Sequence, residues 1–126
     1  MLLVKTYLAP SKIDGLGLFA NQDIAKGQPT WELNRDFDRV WTEEQWHSLP
    51  EALRGEIEKW VYISVATNEY ILCSDNARFY NHSDNPNVGE DENYVERALR
   101  DIAKGEEILT DYSSFCKDFE PFPISR

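Results

Sequence analysis

The sequence predicts a mainly β protein with short helices, α+β by content, in one domain over residues 1–126. Short runs rich in β-branched and aromatic residues recur along the chain and stop at Gly, Pro, Asn or Asp, the punctuation of strands and turns. Helix-start signals and apolar residues at helical spacing are concentrated in one stretch, 34–63, which reads as a partly helical insert. The length of 126 residues suits one core burying roughly two thirds of the unfolded surface, and 41% hydrophobic and 13% aromatic residues can fill it.

Residues 2–7 read as a first strand, ended by Pro10 and Ser11. In Gly15-Leu16-Gly17 the alternate glycines let the backbone adopt positive φ or approach a ligand, although a plain surface turn uses the same pattern. Leu18-Phe19-Ala20 reads as buried chain. Asp23-Ile24-Ala25-Lys26-Gly27 recurs unchanged as Asp101-Ile102-Ala103-Lys104-Gly105, each copy leading into an extended stretch, 28–33 and 106–112. Two copies do not make a solenoid. Each reads as a turn that Asp opens and Gly closes with positive φ.

Thr42-Glu43-Glu44-Gln45 matches a capping box, and Ser48-Leu49-Pro50-Glu51 offers a second helix start with Pro in the first turn. Leu53, Ile57, Trp60 and Val61 then fall at helical spacing. A short helix followed by a longer one over 51–63 is predicted. Trp41 and Trp46 beside them can line a groove or pack in a core. Residues 70–73 read as a strand, 89–93 as a solvated loop and 94–100 as another strand.

The formal charge is −10, from 13 basic and 23 acidic residues. Such a field repels a phosphate backbone, which excludes nucleic acid as a direct partner, and attracts a basic peptide or lysine-bearing surface; it also serves solubility. There is no apolar run near ~20 residues, hence no expected membrane span. The opening apolar run stops at Lys5, too early for a secretory signal, so an intracellular, cytoplasmic location is expected. The two cysteines, Cys73 and Cys116, lie far apart, suggesting no disulfide framework and too few thiolates for an all-cysteine zinc site.

The densest polar stretch is Arg78-Phe79-Tyr80-Asn81-His82-Ser83-Asp84-Asn85-Pro86-Asn87. Its polar residues crowd one proline directly after an aromatic pair, so it is either an elaborate turn or a set of amide and imidazole groups held on a rigid base. Two further stretches bear on this: Asp14-Gly15-Leu16-Gly17-Leu18-Phe19-Ala20, and Gly105-Glu106-Glu107-Ile108-Leu109-Thr110-Asp111-Tyr112. Together, in this order over nearly the whole chain, the three resemble the signature of the SET domain, the protein-lysine methyltransferase fold that uses S-adenosylmethionine.

The resemblance implies a β-clip of several small sheets with a C-terminal strand threaded beneath a loop, a topology rare among proteins, bringing Tyr112 beside Asn81. It implies that Gly15, Leu16 and Gly17 bind the methionine end of S-adenosylmethionine through backbone groups. Asn81 and His82 would hold its ammonium and adenine ends, and Tyr112 would be the catalytic tyrosine. S-adenosylhomocysteine would be the product. The reaction itself is an in-line displacement needing alignment and a neutral amine. Neutralising lysine, pKa ~10.4, at pH 7 costs roughly 4 to 5 kcal/mol, which desolvation in an aromatic channel reduces.

The sequence also departs from the family. Asp84 stands where many relatives carry cysteine, and the tail lacks their cysteine cluster, so no metal is expected. Thr110 occupies a position where relatives often have Phe or Tyr limiting the number of methyl groups added; Tyr80, Phe115 or another aromatic can fill that space. Tyr80, Thr110 and Phe115 are thus expected to line the substrate channel. In the aromatic tail, 113–126, Phe115, Phe119 and Phe122 are expected to fold back, Phe119 covering the cofactor. So little insertion points to a homodimer completing the groove. Competing readings are a non-catalytic module that binds cofactor or basic peptides and a structural oligomer subunit, the latter leaving the polarity of 81–87 unexplained.

Overall fold

Turn residues are so closely spaced that the strands between them run two to five residues. The computed structural model describes residues 1–117. In it β1 (Thr6–Pro10) and β2 (Leu16–Ala20) form an antiparallel hairpin. One antiparallel sheet orders β3 (Pro29–Trp31), β9 (Glu96–Ala98) and β8 (Val88–Glu90); another orders β4 (Arg39–Trp41), β6 (Tyr70–Leu72) and β5 (Val61–Ile63). The short strands β7 (Asn81–His82) and β10 (Leu109–Thr110) pair in parallel, Leu109 opposite Asn81 and Thr110 opposite His82. This mainly β architecture with few short helices is the fold class expected from the sequence.

Several boundaries differ from expectation for physical reasons. The first strand begins at Thr6, because Leu2 and Leu3 run instead along β3, through a bridge from Leu2 to Trp31 and a bond from Leu3 N–H to Thr30 O at 2.9 Å. Helix α1 (Glu43–Ser48) carries the expected capping box, Gln45 N–H donating to Thr42 Oγ1 at 3.1 Å and Thr42 N–H to Gln45 Oε1 at 2.9 Å. Helix α2 (Glu51–Ile57) is shorter than the predicted 51–63 and buries no residue. One 3₁₀ turn, Glu58–Trp60, follows, and Val61 to Ile63 pair with β6 as β5. Strand pairing there outweighs helical periodicity, since Val61, Tyr62 and Ile63 favour a pleated surface.

The predicted solvated loop at 89–93 contributes Gly89 and Glu90 to β8. Asp91 turns the hairpin, its Oδ1 accepting from Asn93 and Val95 N–H, while Tyr94 sits at φ 61°. The following strand accordingly starts at Glu96 rather than 94.

The core joins Leu18 and Ala20 of β2 to Trp31, Val88, Ala98 and Ile108, with Ile24 and Ile102 from the repeated turns nearly inaccessible. Gly27 and Gly105 take the expected positive φ, 85° and 91°. The aspartates depart from expectation. Each caps the other copy: Asp101 accepts from Lys26 N–H at 2.8 Å, Asp23 from Lys104 N–H at 2.9 Å, and Ile24 and Ile102 exchange backbone bonds at 2.8 Å. The two turns form one reciprocal clasp. A separate aromatic cluster forms around α1: Trp46 is buried and stacks on Tyr70 at 5.3 Å, with Trp41 5.4 Å away, so both tryptophans pack rather than line a groove.

Candidate active site

Asn81 is 4% exposed, and its amide must find acceptors. Its Nδ2 donates toward Asp14 O at 3.1 Å, Leu16 O at 3.3 Å and Glu107 Oε2 at 3.0 Å. Ser11 Oγ donates to the same carboxylate at 2.8 Å. Backbone carbonyls and one carboxylate therefore converge on a single nitrogen, an acceptor set that suits an ammonium. Gly17 packs against this network, since a Cβ there would lie 2.3 Å from Glu107 Oε2. Gly15, at φ 44°, is open: a Cβ there would meet nothing within 4 Å. Leu16 is about half exposed. The acceptors around the glycine loop are thus gathered on the Asn81 amide, with room for approach at Gly15.

Asn87 holds the C-terminal segment in place. It is fully buried, donates to Glu107 O at 2.8 Å and accepts from Leu109 N–H at 2.8 Å. That clamp sets the register of β10 against β7, and the chain then turns into the 3₁₀ segment Tyr112–Ser114. His82 accepts from Tyr112 N–H through Nδ1 at 3.2 Å, which leaves Nε2 to donate to Asp84 Oδ1 at 3.0 Å. Tyr112 OH donates to Tyr80 O at 2.7 Å. The catalytic candidate is therefore fixed at its backbone by His82 and at its hydroxyl by Tyr80.

Beyond Tyr112 lies a cavity of about 140 Å³. Tyr62, Tyr80, Tyr112, Phe115 and Trp31 form aromatic parts of its wall. Phe115 packs against Tyr62 and Tyr112 at 5.3 Å each, and its carbonyl accepts from Val65 N–H at 3.0 Å. Lys117 N–H donates to Ile63 O at 2.7 Å, so the segment after Tyr112 is laid along the β5 end of its sheet. Phe119 and Phe122 lie outside the described residues.

Two carboxylates enter the same wall from paired strands, Glu90 of β8 opposite Glu96 of β9. Glu96 is buried and accepts from Tyr80 OH at 2.5 Å and Thr30 Oγ1 at 2.8 Å. Burial pushes its carboxyl up to about 7, against the pull of those two bonds. Glu90 also rises to about 7, through burial first and then the charges of Glu96 and Asp91. Burial and the Glu96 charge raise the Tyr80 phenol, which stays a donor. Burial likewise raises the Cys73 thiol, so it is not a nucleophile. Among the described residues no three His, Cys, Asp or Glu side chains cluster as metal ligands.

The structure thus brings Gly15, Leu16, Gly17 and Asn81 together, and it brings Tyr80, Phe115 and Tyr112 together in the cavity. Thr110, opposite His82 in the β7–β10 pair, is buried and is not among the cavity's lining residues. Sequence reasoning gave no role to Glu107, Glu90 or Glu96. Glu107 stood within the third motif and was open to the question of what its carboxylate accepts. Nothing local marks Glu90 or Glu96, whose burial depends on the β3–β9–β8 sheet.

An aromatic cavity ending at a fixed tyrosine, joined through residues 80–82 to an acceptor-rich glycine loop, is built here on small paired sheets. The chain belongs to the SET domain family, whose model matches residues 15–113. Histone-lysine N-methyltransferase trr of Drosophila melanogaster is 33% identical over 119 residues, covering 89% of this chain and 5% of that protein. A solved Plasmodium falciparum chain, proposed to be a histone methyltransferase, has a TM-score of 0.56 at 23% identity over 88% of this chain and 95% of its own. A chain of Polycomb Repressive Complex 2 from Chaetomium thermophilum, solved with S-adenosylmethionine, has a TM-score of 0.66 at 18% identity over 91% of this chain and 16% of its own. These solved chains share the fold. Among the described residues no helix is long and apolar enough to cross a membrane.

Proposed function

We propose that this SET domain transfers a methyl group from S-adenosylmethionine to the ε-amine of a lysine in a protein substrate. The observation that carries the reading is Tyr112, held by Tyr80 O and His82 Nδ1 at one end of an aromatic cavity whose neighbouring residue, Asn81, reaches the glycine loop. When bound, S-adenosylmethionine supplies an electrophilic methyl group on a sulfonium. Asp14 O, Leu16 O and Glu107 would take its ammonium together with Asn81, and the open face at Gly15 would admit its chain.

The remaining work falls to the aromatic wall. Tyr62, Phe115 and Tyr112 exclude water from an alkyl stem and lower the cost of a neutral amine, while the Tyr112 hydroxyl, fixed rather than rotating, orients the nitrogen. The net charge of −10 favours basic peptides as substrates. The same charge favours, as a second reading, a module that holds such peptides without methylating them. Radiolabelled methyl transfer to a lysine-rich protein mixture, with Tyr112→Phe as control, tests the proposal. Absence of label at saturating cofactor would leave only the binding module.

A further inference from the structure

The two carboxylates of the cavity are not equivalent. Glu96 is engaged by Tyr80 and Thr30, whereas the Glu90 carboxylate has no hydrogen-bonding or ion-pair partner among the described residues. The cations of the same wall are engaged by an aromatic ring instead, Lys59 lying 4.3 Å and Arg78 5.6 Å from the ring of Trp60. Asp91, next in sequence, is tied to Arg97 at 2.8 Å. The other titratable groups of the wall, Tyr62, Tyr80, Tyr112, Cys73 and Cys116, bring no positive charge. Trp31 supplies a reporter in the same wall. It is 5% exposed and lines the same cavity, and its Nε1 is a buried donor without a partner among the described residues.

An uncompensated carboxylate among aromatic walls describes a ligand with an alkyl stem and a basic nitrogen. The nitrogen gives protons to the carboxylate when charged, and its alkyl stem lies against the aromatic rings. We propose that Glu90 is the specificity-determining residue of the Tyr112 cavity, receiving a cationic amine and taking the proton it sheds. In this step an ammonium N–H bond breaks, an O–H bond forms on the Glu90 carboxylate, and the electron pair stays on nitrogen. Glu90, raised to about 7 by burial and by Glu96 and Asp91, is a stronger proton acceptor than an exposed carboxylate. The catalytic consequence rests on the methyl-transfer reading above; the amine site itself does not.

The test uses n-butylammonium, with n-butanol as neutral control, followed by the indole N–H resonances of the protein, that of Trp31 assigned with Trp31→Phe. Butylammonium is expected to shift the Trp31 resonance and butanol is not. Glu90→Gln is expected to weaken butylammonium about tenfold, and Glu90→Asp, retaining the charge, by less. Equal binding of amine and alcohol, or unchanged amine affinity in Glu90→Gln with a native melt, overturns the proposal. If Glu90→Gln does not fold, Glu90→Asp decides: a weakened Trp31 response with butanol still silent supports the site, and an unaltered response overturns it. In methyl transfer, Glu90→Gln is expected to raise KM for a lysine substrate about tenfold and remove the pH limb near 7. Active protein with KM and that limb unchanged sinks Glu90 alone. Inactive wild-type protein that still binds butylammonium through Glu90 sinks the methyl-transfer reading alone.

Discussion

The glycine-loop site and the tyrosine cavity share residues 80–82 yet treat their polar atoms in opposite ways. At the loop, Asn81, Ser11 and Glu107 satisfy one another, and Gly17 is packed so tightly that a methyl group would collide with Glu107. In the cavity, Glu90 and the Trp31 N–H stand without partners among the described residues, and two carboxylates face each other across adjacent strands. Satisfied networks are rigid and hold a shape; unsatisfied buried groups cost stability and are retained where a ligand completes them. In the proposed reading the loop selects by geometry and the cavity by charge.

The largest break in that comparison is expected at Tyr112. Tyr112→Phe keeps the ring against Phe115 but removes the hydroxyl bonded to Tyr80 O. Methyl transfer measured with radiolabel is expected to fall about 100-fold, against roughly 1 kcal/mol of stability for the lost bond.

Next comes the carboxylate pair. Glu90 and Glu96 titrate near 7 in the fold against 4.5 ordinarily, so the folded chain holds protons that the unfolded chain has already released. The stability this gives is complete below about 4.5 and is lost as the pH rises through about 7. For buried Glu96 the loss is on the order of 3 kcal/mol. Urea unfolding at pH 5 and pH 7.5 is expected to show wild-type protein weaker at the higher pH and Glu96→Gln losing less, the remainder belonging to Glu90; an equal slope in both would break the assignment.

Gly17→Ala is expected to cost about 1–3 kcal/mol through overpacking against Glu107, read by thermal melting. It is also expected to abolish the stabilisation by S-adenosylmethionine, which at a hundredfold excess over Kd is about 2.7 kcal/mol in the wild type. A native cofactor shift in this variant would show that the loop tolerates a side chain. The smallest effect lies away from both sites: Asp23→Ala and Asp101→Ala are each expected to cost about 0.5–1.5 kcal/mol, nearly equally, because each aspartate caps the other turn. Strongly unequal losses would deny the reciprocity.

What was legible in the sequence follows the same division. Motifs whose chemistry is local, such as the capping box at Thr42 and the positive-φ glycines at Gly27 and Gly105, are found where the residues point. The ordered motifs also pointed to the glycine loop and to Tyr112, the residues on which the proposed function rests. Features set by pairing partners were not legible. Val61 fits a helical stripe until β6 offers it a strand, and Glu90 reads as solvated loop until Tyr94 closes a hairpin that carries it into β8. Asp23 looks like the opener of its own turn because the copy it caps lies 81 residues away.

That clasp bears on when the two candidate sites form during folding. The hairpin of β1 and β2 and the pairing of β5 with β6 join nearby residues and can form early. The clasp must close separations of 75 and 81 residues, and the Asn81–Glu107 and Tyr112–Tyr80 bonds wait on the same incoming segment. Closures over such distances carry their entropic cost before any reward and slow the search. Both candidate sites therefore form together, when residues 101–112 seat against what has already collapsed.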